Sequence, residues 1–265
     1  MGKVYFVATP IGNLGDVSYR AVETLKECDV ILCEDTRHSR VLLDRYGINK
    51  PLKAFHKFNE AKSVEYVCNL AKDGQNVAVI SDAGMPCVSD PGYLLVRELI
   101  KNNIDYTVIP GACAFITAAV LSGFEAPYTF VGFLKEKPSD RQRQLEALSG
   151  ACVNIFYSAV HNVNDDLKTL YAFFGNRRVA VVKEISKTYE SVMFFDLKDA
   201  YIESPKGEFV LLVDAAKEEN ALNKLTAEKH VEFYINGGMS KMDAIKQTAK
   251  DRGVSKNEIY KLFVD

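Results

Sequence analysis

Apolar residues in the first hundred positions come in short unbroken runs at 4–8, 30–33, 77–81 and 106–109. Between these runs, apolar residues recur at helical spacing, at about 18–27, 36–46, 59–73 and 91–102. Unbroken runs suit strands buried on both faces, so this alternation predicts a parallel sheet with crossover helices. From Ala112 to Leu121 nearly every face is small and apolar, which predicts a buried helix; Ser122-Gly123-Phe124-Glu125-Ala126-Pro127 breaks it. Further on, runs at Tyr128–Phe133, Cys152–Tyr157, Arg178–Val182, Val192–Phe195 and Glu208–Val213 lie closer together. Helical segments at 139–148 and 162–174 separate only some of them, which predicts a second, more antiparallel α/β domain. Near the C-terminus, Ser240 to Asp243 and Ser255 to Glu258 read as capping boxes and Gly253 as a C-cap, predicting two short helices joined by a tight turn. The expected domains are 1–111, 112–223 and a helical tail, 224–265.

Composition narrows the class. With 265 residues, 48% of them hydrophobic and 26% charged, the chain can bury a large core divided between two domains. No apolar run approaches the roughly 20 residues that span a bilayer, and Met-Gly-Lys-Val-Tyr opens directly into a strand without a signal-peptide pattern. No membrane association and a cytoplasmic address are expected. Six scattered cysteines without a CxxC pair and four dispersed histidines suggest neither disulfides nor a metal site. A net charge of −2 excludes a protein that coats nucleic acid unspecifically, so any RNA contact must be local. Two stretches carry two more basic than acidic residues, Lys135–Arg143 and 224–265; for either alone, ordinary solvated surface is the simpler reading.

The candidate chemistry sits after the strands. Thr9-Pro10-Ile11-Gly12, the Ser81–Gly92 stretch with its two Ser-Asp pairs, and Pro110-Gly111-Ala112-Cys113 all follow apolar runs. Ligands of open α/β sheets bind outside such carboxyl ends, so these loops are expected to converge on one crevice. No G-x-G-x-x-G is present, which removes the usual dinucleotide fingerprint. Taken alone, these residues define a two-domain α/β ligand-binding enzyme.

Their spelling goes further. Val7 to Asp16, Cys33-Glu34-Asp35-Thr36-Arg37, the Ser81–Pro86 and Ser89–Gly92 pair, and Ile109 to Ala114 resemble the tetrapyrrole methylase superfamily, in its order and spacing over most of the chain. Within it they are similar to the branch that methylates a ribose 2′-hydroxyl in bacterial small-subunit ribosomal RNA. The resemblance implies a class III methyltransferase fold: two α/β domains with a cleft between them for S-adenosylmethionine, usually as a homodimer. It implies cofactor contacts from Pro10, Ile11, Gly12, Ser81, Asp82, Ala83, Met85, Val88 and Ala112 on one wall. Tyr157, Ser158, Lys183 and Glu208 belong to the facing wall. Glu34 and Arg37 would position a substrate that is ribosomal RNA or the small ribosomal subunit, with a cytidine as target. Arg141 and Arg143, from the first basic stretch, are further RNA candidates.

A ribose hydroxyl is a poor nucleophile, so transfer needs a general base, or charge that favours the alkoxide. Asp35 and Lys183 are the candidates. Asp35 alternatively caps the next helix while Arg37 pairs with a carboxylate, Lys183 alternatively ends a strand in solvent, and Tyr157 either covers the adenosyl group or caps the core. The chain departs from the branch at Ser158-Ala159-Val160-His161-Asn162, where a Ser-Pro-His-Arg-like turn is usual; the arginine that would grip phosphate is gone. Two other readings stay open: a carbon methyltransferase acting on a tetrapyrrole, and a non-catalytic ribosome-associated or cofactor-binding protein.

Overall fold

The structure is a computed structural model describing residues 1–56, 59–216, 222 and 225–263. Two compact units divide the chain, Met1–Ala215 and Ala216–Asp265. The first holds two five-stranded sheets. Sheet one contains β1 (Val4–Val7), β2 (Val30–Cys33), β3 (Leu52–Ala54), β4 (Val77–Val79) and β5 (Tyr106–Ile109) in the order β3-β2-β4-β1-β5. All its pairings are parallel, with Val4 opposite both Val77 and Tyr106. This is the topology the apolar runs require, because β1, β2 and β4 are covered on both faces. Val4 and Phe6 pack with Val67 of α3 (Glu60–Lys72) and with Leu95 and Leu99 of α4 (Tyr93–Lys101). Val7 and Ile31 pack on the opposite face with Leu25 of α1 (Tyr19–Glu27) and Leu43 of α2 (Thr36–Arg45). Each fully buried leucine contributes about 1.5–3 kcal/mol. Strand β3 was not expected; three residues at a sheet edge are too few to show an apolar rhythm.

Sheet two contains β6 (Tyr128–Phe133), β7 (Val153–Ser158), β8 (Arg178–Lys183), β9 (Ser191–Asp196) and β10 (Phe209–Val213), ordered β6-β7-β10-β8-β9. Only β6 and β7 run parallel. One face packs on α6 (Pro138–Glu146) and α7 (Val163–Phe174) through Leu145, Leu167 and Leu170. The other receives α5 (Ala114–Ser122), the expected apolar helix, which Gly123 ends in the left-handed conformation. Its Ala118 and Ala119 are buried, whereas Ile116 and Val120 remain exposed.

Among its described residues the second unit contains three α-helices, α8 (Ala227–Asn236), α9 (Lys241–Arg252) and α10 (Lys256–Lys261), around Val231, Ile245, Ala249 and Ile259. Ser240 and Ser255 cap α9 and α10, the full capping box forming only at Ser255 with Glu258, and Gly253 terminates α9 at φ 64°. Helix α8 adds to the two helices read from those caps.

Candidate functional site

The carboxyl ends of β1 and β4 are locked together by backbone contacts. Thr9 and Gly84 exchange N–H···O bonds of 2.8 and 3.1 Å, and the Ser81 hydroxyl donates to the Gly84 carbonyl. Gly84 has φ 80°, and a Cβ there would stand 3.2 Å from the Ile11 side chain. Only glycine takes this conformation at no steric cost. The chain then turns sharply, with Cys87 at φ 70° and Ser89 at φ 66°. The buried Glu60 carboxylate fixes the end of the turn by accepting the Gly92 N–H at 2.9 Å.

Opposite these loops stand the paired ends of β7, β8 and β10, where Phe209 lies across from both Ser158 and Lys183. Two cavities open between the walls. The α2 lobe, about 320 Å³, is lined by Thr9, Pro10 and Gly12, by His38, Val41 and Leu42 of α2, and by Lys187. The Tyr157 lobe, about 340 Å³, is lined by Met85, Val88, Asp90, Cys113, Phe133, Tyr157 and Phe209. Ile11, Asp82, Ala83 and Glu208 line both, so the lobes share a waist with two carboxylates in it.

Their chemistry differs. In the Tyr157 lobe, the Tyr157 ring meets Phe130 and Phe133 edge to face at 5.0 and 5.5 Å. Burial, with the neighbouring Cys113 and Asp90, pushes its hydroxyl up to about 12, so it stays a neutral phenol. Burial and the Glu34 carboxylate raise Asp90 to about 6 against an opposing hydrogen bond from Ser81. Glu34 is raised too, by burial and by Asp82. In the α2 lobe the half-buried Lys187 ammonium bridges Glu184 at 2.9 Å and Glu208 at 2.8 Å. Gly207 makes this bridge possible: at φ 84°, a Cβ would stand 2.3 Å from the Glu184 carboxylate. The loop carrying Lys187 is tied to sheet one by a hydrogen bond from the Ser186 hydroxyl to Asp16.

Most of the expected cofactor residues meet in this cleft: Pro10, Ile11, Gly12, Ser81, Asp82 and Ala83 line the α2 lobe or the waist, and Met85, Val88, Tyr157, Ser158 and Glu208 the Tyr157 lobe or the waist. Ala112 stands just behind, its carbonyl near Gly84, while Cys113 and Ala114 take the lining position. The buried Ser158 hydroxyl is turned away, donating to Asp166 at 2.5 Å. Asp35 does what a helix cap does: its carboxylate accepts the Arg37 N–H at 2.8 Å, and the Arg37 guanidinium binds it again. These bonds hold it well below the usual carboxylate range, making it a weak base, while its own N–H donates to Asp82 at 3.1 Å. Lys183 ends β8 and is absent from both linings. Arg141 donates to the Lys135 and Glu136 carbonyls and Arg143 pairs with Asp140. Sequence reasoning clustered His38 with Glu34, Asp35 and Arg37 at this strand end but overlooked Asp90 and Lys187; the second Ser-Asp pair was the signal for Asp90, whereas nothing local marked Lys187. Among the described residues no His, Cys, Asp or Glu group could hold a metal ion, and no helix is long and apolar enough to cross a membrane.

Two sheets that meet at a cleft lined by strand-end loops define an α/β protein of the methylase kind. The chain belongs to the tetrapyrrole (corrin/porphyrin) methylase family, whose model matches residues 3–201. It is 47% identical over 216 residues to a Mycoplasmopsis pulmonis protein named ribosomal RNA small subunit methyltransferase I, covering 80% of this chain and 97% of that one. A Halalkalibacterium halodurans protein of the same name is 40% identical over 273 residues, covering 99% of this chain and 94% of the relative. The crystal structure of the uroporphyrin-III-C-methyltransferase from Thermus thermophilus shares the fold at a TM-score of 0.60 and 19% identity, over 81% of this chain and 94% of that one.

Proposed function

We propose that this chain transfers a methyl group from S-adenosylmethionine to the 2′-hydroxyl of a cytidine in small-subunit ribosomal RNA. Full-length likeness to proteins named for small-subunit ribosomal RNA methylation supports the RNA substrate. The cytidine 2′-hydroxyl rests on the motifs Val7–Asp16, Cys33–Arg37 and Ser81–Gly92. The observation that carries the reading is the cleft of two unlike lobes joined at a carboxylate-bearing waist.

The Tyr157 lobe suits the methyl donor, since its aromatic wall faces an adenine and Asp82 and Asp90 face a ligand bearing an ammonium and a sulfonium. S-adenosylmethionine supplies an electrophilic methyl group on that cationic sulfur. In this reading the α2 lobe receives the nucleotide. The acceptor hydroxyl is held at the waist, where Asp82 and Glu208 are placed to accept its proton and Lys187 balances the charge on Glu208. Proton handling thus belongs to the waist rather than to Asp35 or Lys183. Methionine, valine and phenylalanine walls exclude water from the transfer. The chain acts in the cytoplasm on ribosomal RNA or the small ribosomal subunit, as a homodimer; Ile116 and Val120 on α5, 55% and 78% exposed, are the apolar surface that such a contact would cover.

The test is transfer of labelled methyl from S-adenosylmethionine to small subunits from a strain lacking this modification, followed by nucleoside analysis. Labelled 2′-O-methylcytidine is the expected product. Label on a tetrapyrrole but not on RNA, or donor binding without transfer to either, would replace this reading with one of its alternatives.

A further inference from the structure

The first basic segment read from the sequence, Lys135–Arg143, spends its arginine charge locally. In α6, Arg141 and Arg143 are taken up by local carbonyls and Asp140. Helix α2, which walls the lobe assigned to the nucleotide, carries Arg37, Arg40 and Arg45 against Asp44 alone. On a helical wheel Arg45 falls between Val41 and His38, the two exposed residues that line the lobe, and Arg37 falls just beside Val41. Arg37 and Arg45 are therefore on the lobe's side, about 12 Å apart along the axis. Arg37 is paired with its own cap, with 90% of its side chain exposed, and Arg45 has no carboxylate partner among the described residues.

Beside the lobe, the Ser186–Asp16 hydrogen bond joins the Lys187 loop to the turn before α1, whose Leu14 carbonyl also accepts the hydroxyl of Tyr46 at the end of α2. Three residues from each side of it stand the most exposed tyrosines in the first unit, Tyr19 at 92% and Tyr189 at 77%. A single exposed tyrosine is ordinary surface. Two that flank one junction, in the segments that bring Leu14 and Lys187 to the pocket whose third wall is the arginine-bearing α2, have the composition of a single-strand binder: stacking platforms beside backbone-neutralising charge.

Resting on the function proposed above, we infer that the rim of the α2 lobe binds a single-stranded RNA segment, with Arg37 and Arg45 taking phosphates and Tyr19 and Tyr189 stacking bases beside the target nucleotide. The segment is single-stranded because stacking on these rings requires unpaired bases and a hydroxyl held at the waist requires a nucleotide free of a helix.

Charge and stacking leave different marks, which gives the test. A fluorescein-labelled oligoribonucleotide of about ten nucleotides is titrated with the full chain at several salt concentrations. For Arg45→Gln the slope of log affinity against log salt is expected to fall by about 0.7, the loss of one single-strand phosphate contact. For Tyr19→Ala with Tyr189→Ala, affinity is expected to drop about tenfold or more at unchanged slope. Circular dichroism and S-adenosylmethionine calorimetry establish that both variants remain folded and bind donor. Wild-type affinity and slope in both variants would overturn the inference and leave the proposed function standing. Rim-dependent binding without methyl transfer by the wild type would do the reverse, and a wild type that methylates small subunits but binds no oligoribonucleotide would overturn the inference alone.

Discussion

The two lobes are made from similar volumes by different means. In the Tyr157 lobe the walls are loops fixed by backbone hydrogen bonds, by left-handed residues at Gly84, Cys87 and Ser89, and by a buried carboxylate cap on Gly92. In the α2 lobe one wall is an exposed helix face and the other a loop held by the Lys187 ion pairs and a surface hydroxyl–carboxylate bond. The half-buried Lys187 pairs with one covered carboxylate, Glu184, and one exposed one, Glu208. This wall therefore hangs on a few polar contacts, the exposed one worth about 0–1 kcal/mol, where the first set is held by burial and a backbone lock. A wall built in the first way is preorganised for one small rigid ligand; a wall built in the second can yield to a polymer of variable sequence. The division matches a fixed methyl donor on one side and RNA on the other.

If this contrast is right, rigidity in the Tyr157 lobe is indispensable, and Gly84→Val is the change that tests it hardest. A branched side chain at φ 80° costs about 1–3 kcal/mol in backbone strain and also crowds Ile11. The expected result is a ten- to hundredfold loss of S-adenosylmethionine affinity by calorimetry, with a lower melting temperature. Lys187→Met, in the other wall, is expected to change donor affinity less than threefold. Equal losses in both variants would erase the distinction between the walls.

A second change separates lining from function within one lobe. Ser158 lines the Tyr157 lobe, yet its hydroxyl serves Asp166, a buried carboxyl that burial raises above its ordinary range. Ser158→Ala leaves that group without its partner, at a cost of about 1–3 kcal/mol. Denaturant unfolding is expected to show the loss while donor affinity moves less than twofold. A larger effect on affinity than on stability would return Ser158 to the cofactor contacts.

How far the sequence disclosed this arrangement follows from what each signal depends on. The strands and helices of both sheets were legible, because buried strands demand unbroken apolar runs and crossover helices demand apolar stripes. Edge strand β3 was hidden, being three half-exposed residues whose order depends on Cys33 and its neighbours. Positions at strand ends such as Pro10, Asp82 and Tyr157 were legible through motif spelling, since their place there is fixed by local sequence. Lys187 and the Asp35–Asp82 contact were not, because each depends on a partner far along the chain. Asp35 shows the limit of residue type as a guide: a carboxylate beside a cleft reads as a base until its cap and its arginine are seen.

The smallest effect sharpens the contrast most. Burial and Glu34 raise Asp90 to about 6, so in the free protein it is neutral below that pH and charged above it. A folded-state pKa above the ordinary carboxyl value means that its contribution to stability is present in acid and lost as pH rises through about 6. A cationic donor in the Tyr157 lobe favours the charged form, so donor affinity runs the opposite way, rising several-fold from pH 5 to pH 7 with release of a proton. Calorimetry in buffers of different ionisation enthalpy detects that proton. Asp90→Asn is expected to flatten the profile, and S-adenosylhomocysteine, which has no sulfonium charge, to show a shallower one with the wild type. RNA affinity follows no such profile if the nucleotide occupies the other lobe. A rise common to donor and RNA would mean that both ligands meet the same carboxylate, and the two lobes would then have to be treated as one site.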